Sequence, residues 1–112
     1  MSRLPLSTKE KLALAEFRGR VFRLLGNELK KMALFGSKAT GHATFESDID
    51  VLVLIKDSAL RKRGAILDQA FEVNLKHGVY ISPRIVGLAT FNHPVWRMTP
   101  FLRKLRKEGI PL

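Results

Sequence analysis

The apolar segment Ile49–Ile55 constrains the fold of this 112-residue chain more than any other feature, because Asp50 is its one polar residue. Near-continuous apolar runs of this length are typical of strands that are buried on both faces. A second carboxylate, that of Asp48, stands directly before the run. We therefore predict a strand that is buried on both faces except at its start, where the carboxylates of Asp48 and Asp50 are accessible.

Other patterns predict the elements around this strand. Ser7 and Glu10 form a capping-box pattern, so a helix is predicted to begin there and to end at the Gly26-Asn27 pair. Pro83 lacks the N–H group that a central strand needs, which places its strand at a sheet edge or a bulge. The predicted strands are residues 31–35, 49–55 and 79–86.

The second half of the chain is predicted to alternate in the same way. A helix capped by Asp57 and Ser58 runs to about residue 76, residues 87–98 form a loop, and a last helix covers residues 101–108. This order of elements predicts an α/β (α+β) fold, a small mixed β-sheet packed with helices, in one domain that spans residues 1–112. Four side chains of the middle helix are predicted to face inward: Leu60, Leu67, Ala70 and Phe71.

Composition narrows the classes of function. Twenty Lys and Arg against ten Asp and Glu give a formal charge of +10, which attracts polyanions. A nucleic acid, a nucleoside triphosphate and an acidic protein partner all remain open. The absence of cysteine excludes disulfides and thiolate zinc sites. No apolar stretch approaches the roughly 20 residues of a membrane span, so we expect no membrane association and a cytoplasmic location.

The candidate site lies around the turn between the first two predicted strands. Gly36 allows close approach of the backbone to a ligand, and Ser37 can begin a short helix whose free N–H groups point at an anion. Asp48 and Asp50 are two residues apart, so on an extended strand their carboxylates point to one face. A hard divalent cation such as Mg2+ relieves the repulsion between such carboxylates and binds phosphates. The pattern therefore predicts a metal and phosphate site.

This stretch resembles the signature of the DNA polymerase β-like nucleotidyltransferase superfamily, in its minimal single-domain form. The residues that match the family pattern are Gly36, Ser37, Ala39, Gly41, Ser47, Asp48 and Asp50. The resemblance implies a nucleotidyltransferase fold and an enzyme that uses Mg2+ and a nucleoside triphosphate, with ATP as the expected nucleotide. It implies that Asp48 and Asp50 are the metal ligands and catalytic residues, and that Gly36, Ser37 and Lys38 contact the phosphates.

Two positions depart from the family pattern. Thr40 stands where the family usually has an arginine, and residues 79–86 contain no acid although active members commonly carry a third carboxylate there. The base that would deprotonate an acceptor hydroxyl is therefore missing from its usual place. Glu46 and Glu72 are alternative sources of a base, and binding of nucleotide without transfer is the alternative function.

The resemblance also implies a protein partner. Minimal members of the family are often paired with a small helical protein of the HEPN class in toxin–antitoxin systems, and some attach AMP to it. A homodimer, a catalytically degenerate module that docks on a partner, and a basic nucleic-acid-binding domain remain open alternatives. Three more features have two interpretations each. Ser82 either faces the nucleotide cleft or serves sheet packing, Arg84 contacts either the triphosphate or solvent, and Trp96 serves either base stacking or packing.

Overall fold

The computed structural model describes residues 6–36 and 48–112. Helix α1, Thr8–Leu25, begins at the predicted capping box. The Ser7 hydroxyl accepts a hydrogen bond from the Glu10 amide at 3.1 Å, and the Glu10 carboxylate accepts one from the Ser7 amide at 3.0 Å. These bonds satisfy two N–H groups of the first turn, which confirms the predicted start of the helix.

Four strands form one mixed sheet in the order β3-β2-β1-β4. Strand β1 pairs with β2 and with β4 in antiparallel fashion, whereas β2 and β3 are parallel. The mixed sheet and the edge position of the strand that contains Pro83 are both confirmed. The short strand β4 was not predicted. The strands are β1 Leu29–Phe35, β2 Ile49–Ile55, β3 Ile81–Gly87 and β4 Ile110–Pro111.

The middle helix differs from the prediction at its start. Residues Asp57–Lys62 form a 3-10 helix, and helix α2 covers Arg63–His77. The Asp57 carboxylate does not cap its own helix; it accepts a hydrogen bond from the Ala89 amide at 3.1 Å. Asp57 therefore ties this segment to the residues that follow β3.

The predicted inward face of this helix is also wrong for three of its four residues. Ala70 is buried, but Leu60 and Leu67 are exposed and Phe71 is 63% exposed. Successive helical residues are turned by about 100°, so the side chains that share the sheet-facing stripe with Ala70 are those of Ile66 and Val73. Sequence hydrophobicity alone did not show which of two apolar stripes meets the sheet.

The segment at residues 87–98, predicted as a loop, contains two short helices, α3 Leu88–Phe91 and α4 Pro94–Arg97. The His93 ring accepts a hydrogen bond from the Val95 amide at 3.1 Å, and Pro94 occupies the first turn. Proline at this position suits a helix start, since its missing N–H group has no partner there in any case. The last helix, α5, covers Pro100–Glu108, close to the predicted range, and the Thr99 hydroxyl accepts a hydrogen bond from the Leu102 amide at its start.

The core lies on both faces of the sheet. Helices α1 and α2 cover one face, where Phe17 and Ile66 share a buried cluster with Val51. Helix α5 covers the other, where Leu102 packs against Leu52. All five of these side chains are fully buried, so β2 is covered on both faces as predicted. Within residues 6–36 and 48–112, no helix combines the length and the apolar character that crossing a bilayer requires.

Candidate active site

Asp50 lies near the start of β2, one of the two central strands of the sheet. In the strand registers it stands opposite Phe35 of β1 and opposite Ser82 of β3. Leu52 and Leu54 continue its face of β2, and both pack in the cluster under α5. Asp50 is half-buried, and Asp48, directly before the strand, is exposed. The start of β2 therefore carries two acids beside the last residues of β1.

The backbone of Gly36 lies against the Asp50 carboxylate. Gly36 has a φ of +77°, and a Cβ atom built on it would overlap the Asp50 Oδ2 atom and lie 3.2 Å from its Cγ. Glycine is required here on both counts, since a side chain is disfavoured at positive φ and would displace the carboxylate. Gly36 was predicted to allow close approach of the backbone to a ligand. In the structure, the group that lies against its backbone is the Asp50 carboxylate.

Strand β3 is held in register beside this site by Asn74 of α2. The Asn74 amide accepts from the Ile81 N–H at 2.8 Å and donates to the Ile81 carbonyl at 3.0 Å. The Tyr80 carbonyl accepts from the Ile49 N–H at 2.8 Å. These bonds fix the start of β3 next to the start of β2. Ser82 is exposed beside Asp50, on the strand where active members of the family commonly carry a third carboxylate.

An aromatic cluster adjoins the site on the same face of the sheet. The rings of Phe35 and Phe101 meet edge to face with centroids 5.0 Å apart, and Trp96 lies 5.5 Å from Phe101. The Arg84 guanidinium stands 5.0 Å from the centre of the Phe101 ring, a cation–π contact. Phe91 completes the cluster at 5.5 Å from Trp96. Packing thus accounts for Trp96 in the structure.

The remaining predicted site residues fall into two groups. Ser37, Lys38 and Glu46 lie outside the described residues. Glu72 belongs to α2, on the opposite side of the sheet from Asp50, and its carboxylate lies 3.7 Å from Arg20. It is therefore not placed to act as a base for the site. Among residues 6–36 and 48–112, no group of three His, Cys, Asp or Glu side chains could hold a metal ion.

Comparison with known proteins identifies the family. The model of the nucleotidyltransferase domain family matches residues 14–110, and the chain belongs to this family. Two proteins of Methanocaldococcus jannaschii, each named as a candidate protein adenylyltransferase, are similar in sequence. One is 38% identical over 71 residues, which are 62% of this chain and 72% of that protein. The other is 33% identical over 101 residues, which are 89% of this chain and 94% of that protein.

Two solved structures share the fold. One, described as a minimal nucleotidyltransferase, superposes with a TM-score of 0.57 at 22% identity, over 95% of this chain and 97% of its own. The other comes from a crystal structure of a toxin–antitoxin with AMP-PNP. It superposes with a TM-score of 0.56 at 16% identity, over 94% of this chain and 72% of its own. The resemblance to a minimal nucleotidyltransferase is thus confirmed for both family and fold.

Proposed function

We propose that this chain binds a nucleoside triphosphate with Mg2+, ATP being the nucleotide, and transfers its nucleotidyl group to an acceptor hydroxyl. The observation that carries the proposal is the position of Asp50, which lies against the Gly36 backbone and two residues after the exposed Asp48. Carboxylates in this arrangement, at the start of a central strand in a chain of this family, suit metal-dependent phosphoryl chemistry.

The residues present fit Mg2+. Carboxylate oxygens are its preferred protein ligands, and one or two of them usually suffice where substrate phosphates supply the rest. Asp48 and Asp50 would hold the ion, and Gly36, Ser37 and Lys38 would contact the phosphates. When bound, Mg2+ neutralises the negative charge that accumulates on the phosphates during transfer.

The transfer forms one bond and breaks one. The acceptor oxygen bonds to the α-phosphorus, the bond from that phosphorus to the bridging α–β oxygen breaks, and pyrophosphate leaves with the bonding pair. The acceptor proton must pass to a base. Ser82 occupies the position beside Asp50, and its hydroxyl is no substitute for a carboxylate at neutral pH. We infer that the proton goes to solvent or to a group supplied with the acceptor.

A protein is the acceptor that we propose. Both archaeal relatives are named as candidate protein adenylyltransferases, and one fold neighbour comes from a toxin–antitoxin complex. In this chain, Leu67, Phe71 and Leu75 form an exposed apolar stripe on α2, at helical spacing. Such a stripe suits the packing of a helix from a partner. A small helical HEPN-type protein, as the family resemblance implies, would meet this requirement.

The test is transfer of label from ATP labelled at the α-phosphate. The chain is incubated with labelled ATP, Mg2+ and the protein that its neighbouring gene encodes. We expect label on that protein, none without Mg2+, and none with the Asp48→Asn, Asp50→Asn double variant. Label that persists in the double variant would contradict the assignment of the two acids.

The second candidate function is docking without turnover. The serine beside Asp50 and the lack of a three-acid group among the described residues favour it. In that case the partner is bound and inhibited but never labelled, and the double variant inhibits as well as the original chain. Measuring inhibition and labelling in the same samples separates the two functions.

A further inference from the structure

We propose that the chain has a second binding surface, for an acidic and partly apolar segment of a protein that adds as a strand to the free edge of β1. The surface is a groove of about 480 Å³ between α1 and β1. Arg18 and Phe22 line it from α1, and Leu29, Lys30 and Lys31 line it from β1. We call it the α1–β1 groove. It lies at the opposite end of β1 from Phe35 and the candidate active site.

The edge of β1 is open along the groove. Strand β4 pairs with Ala33 and Leu34, and the Leu112 amide donates to the Met32 carbonyl at 2.9 Å. Among the described strands, none lies beside Lys30 and Lys31 on that side. The Leu29 amide already donates to the Gly26 carbonyl, and the register of β1 with β2 is irregular between Leu29 and Lys31. Unpaired N–H and C=O groups at a sheet edge are a template for another strand. An added segment would continue the line that β4 begins.

The groove carries uncompensated positive charge. Arg18, Lys30 and Lys31 line it, no described acid does, and none of the three makes an ion pair within the described residues. The carboxylate next along the chain is that of Glu28, which is occupied by Lys62 at 3.0 Å. Lysines at an edge repel basic strands and discourage neutral ones from pairing. An acidic strand is therefore the kind that this edge admits.

The groove is also apolar enough to select against highly polar ligands. Phe22 is 61% exposed, and the buried Met32 and half-buried Leu29 form the floor beside it. Apolar side chains of a bound segment would cover Phe22, and its carboxylates would reach the cations that line the same groove.

A protein segment fits these observations better than a nucleic acid does. Single-stranded nucleic acids are bound by basic grooves in which successive aromatic side chains stack on successive bases. Phe22 is the one aromatic residue among those that line this groove. An open strand edge offers no advantage to a nucleic acid, whereas it supplies main-chain hydrogen bonds to a peptide.

The experiment uses a short fluorescein-labelled peptide of alternating glutamate and valine, with binding followed by anisotropy. Arg18→Glu with Lys31→Glu should weaken binding by about tenfold or more, because it replaces attraction by repulsion at the groove. Lys9→Glu with Arg63→Glu is the matched control. It makes the same change in net charge at exposed residues outside the groove and should have little effect. Phe22→Ala should also weaken binding.

Four outcomes would overturn the proposal. They are equal loss in the two charge-reversal variants, no peptide binding by the unaltered chain, equal binding of a peptide with lysine in place of glutamate, and tighter binding of a single-stranded RNA than of the peptide. Strand addition further requires that the peptide slow hydrogen exchange at the amide of Lys30 or Lys31, since the Leu29 amide already donates to the Gly26 carbonyl. The Asp48→Asn, Asp50→Asn variant should bind the peptide as tightly as the unaltered chain does. The peptide test is therefore independent of whether the chain transfers nucleotides.

Discussion

At the scale of single residues, the candidate site depends on the contact between Gly36 and Asp50, which lie 14 residues apart in the sequence. Gly36 closes β1 and Asp50 lies in β2, yet the glycine backbone and the carboxylate are in contact. Glycine contributes twice here, through its positive φ and through the space where a Cβ atom would be. A substitution at Gly36 therefore acts on the acid as well as on the turn.

We expect Gly36→Ala to remove Mg2+-dependent ATP binding and to lower the free energy of unfolding by more than Gly26→Ala does. Gly26 has a φ of +55° but nothing within 4 Å of its Cβ position, so its variant reports the backbone cost alone, about 1–2 kcal/mol. Gly64→Ala, in a helix with free space around it, should stabilise the chain. Chemical denaturation and ATP titration of the three variants provide the measurements. Normal ATP binding by Gly36→Ala would contradict the argument.

Replacing Ser82 by an acid should raise the rate of nucleotide transfer. In Ser82→Asp a carboxylate would join Asp50 across the parallel register, and we expect faster nucleotide transfer, by up to about 100-fold, the lower end of general-base assistance. The added acid should also lower the melting temperature without Mg2+ and raise its response to Mg2+, since three carboxylates repel one another more than two. Ser82→Asn, similar in size but uncharged, should show neither effect. An unchanged rate and an unchanged Mg2+ response would mean that Ser82 does not face the site.

At the scale of elements, one carboxylate joins α1 to α2. Glu16 accepts from Lys76 Nζ at 2.9 Å, contacts His77 Nε2 at 3.0 Å, and pairs with Arg20 at 3.0 Å. The hydrogen bonds from Lys76, then His77, lower the pKa of Glu16 from 4.5 to about 2, and Arg20 adds to the effect. The ionised Glu16 thus links α1 to the end of α2, and the two helices also share the buried cluster on one face of the sheet.

This shift predicts a dependence of stability on pH. A carboxylate whose pKa is lower in the folded chain stabilises it above the ordinary pKa, and that contribution is lost as the pH falls through the folded value. Between about pH 5 and pH 2, the free energy of unfolding should therefore fall more steeply in the unaltered chain than in Glu16→Gln. Glu72→Gln, at a carboxylate that is 58% exposed, is the control and should retain the steep fall. Parallel curves for the original chain and Glu16→Gln would contradict the prediction.

The elements differ in how far local sequence could predict them. Helix α1 and strand β2 were predictable because their signals are local: a capping box at Ser7 and a continuous apolar run. The orientation of α2 was not, because Phe71 and Ala70 are both apolar and only packing on the sheet decides which is buried. Strand β4 depends on pairing with residues far along the chain, at Ala33 and Leu34, which no local pattern records.

The sequence predicted the kind of site, a pair of carboxylates beside a glycine turn, but not the contacts between its residues. The identity of Asp48 and Asp50 as a pair follows from their spacing, and their role as metal ligands stays a prediction. The contact of Gly36 with Asp50 and the register of Asp50 with Ser82 are long-range facts. The roles of Ser37 and Lys38 also stay predictions.

At the scale of the whole molecule, ligand binding should appear as stability. A ligand that binds the folded chain alone, at about 100 times its Kd, contributes about 2.7 kcal/mol. For a domain of this size that corresponds to a rise in melting temperature of roughly 10 °C. We expect Mg2+ with ATP to raise it by this order, and the Asp48→Asn, Asp50→Asn variant to lose the part that depends on Mg2+. The same rise in both proteins would place the phosphates elsewhere, for example on basic helix faces of this +10 chain.

The pairing of β4 with β1 has a consequence for how the chain is made. A ribosome delivers Ala33 and Leu34 long before it delivers Ile110 and Pro111, and these residues stand opposite one another in adjacent strands of the finished sheet. Pairing across so much intervening chain forms slowly, because its loop must close before any contact compensates for the lost freedom. During synthesis, the edge of β1 that β4 later covers therefore stays unpaired until the end of the chain has been made. A nascent chain at that stage offers chaperones an unfinished sheet edge beside the future active site.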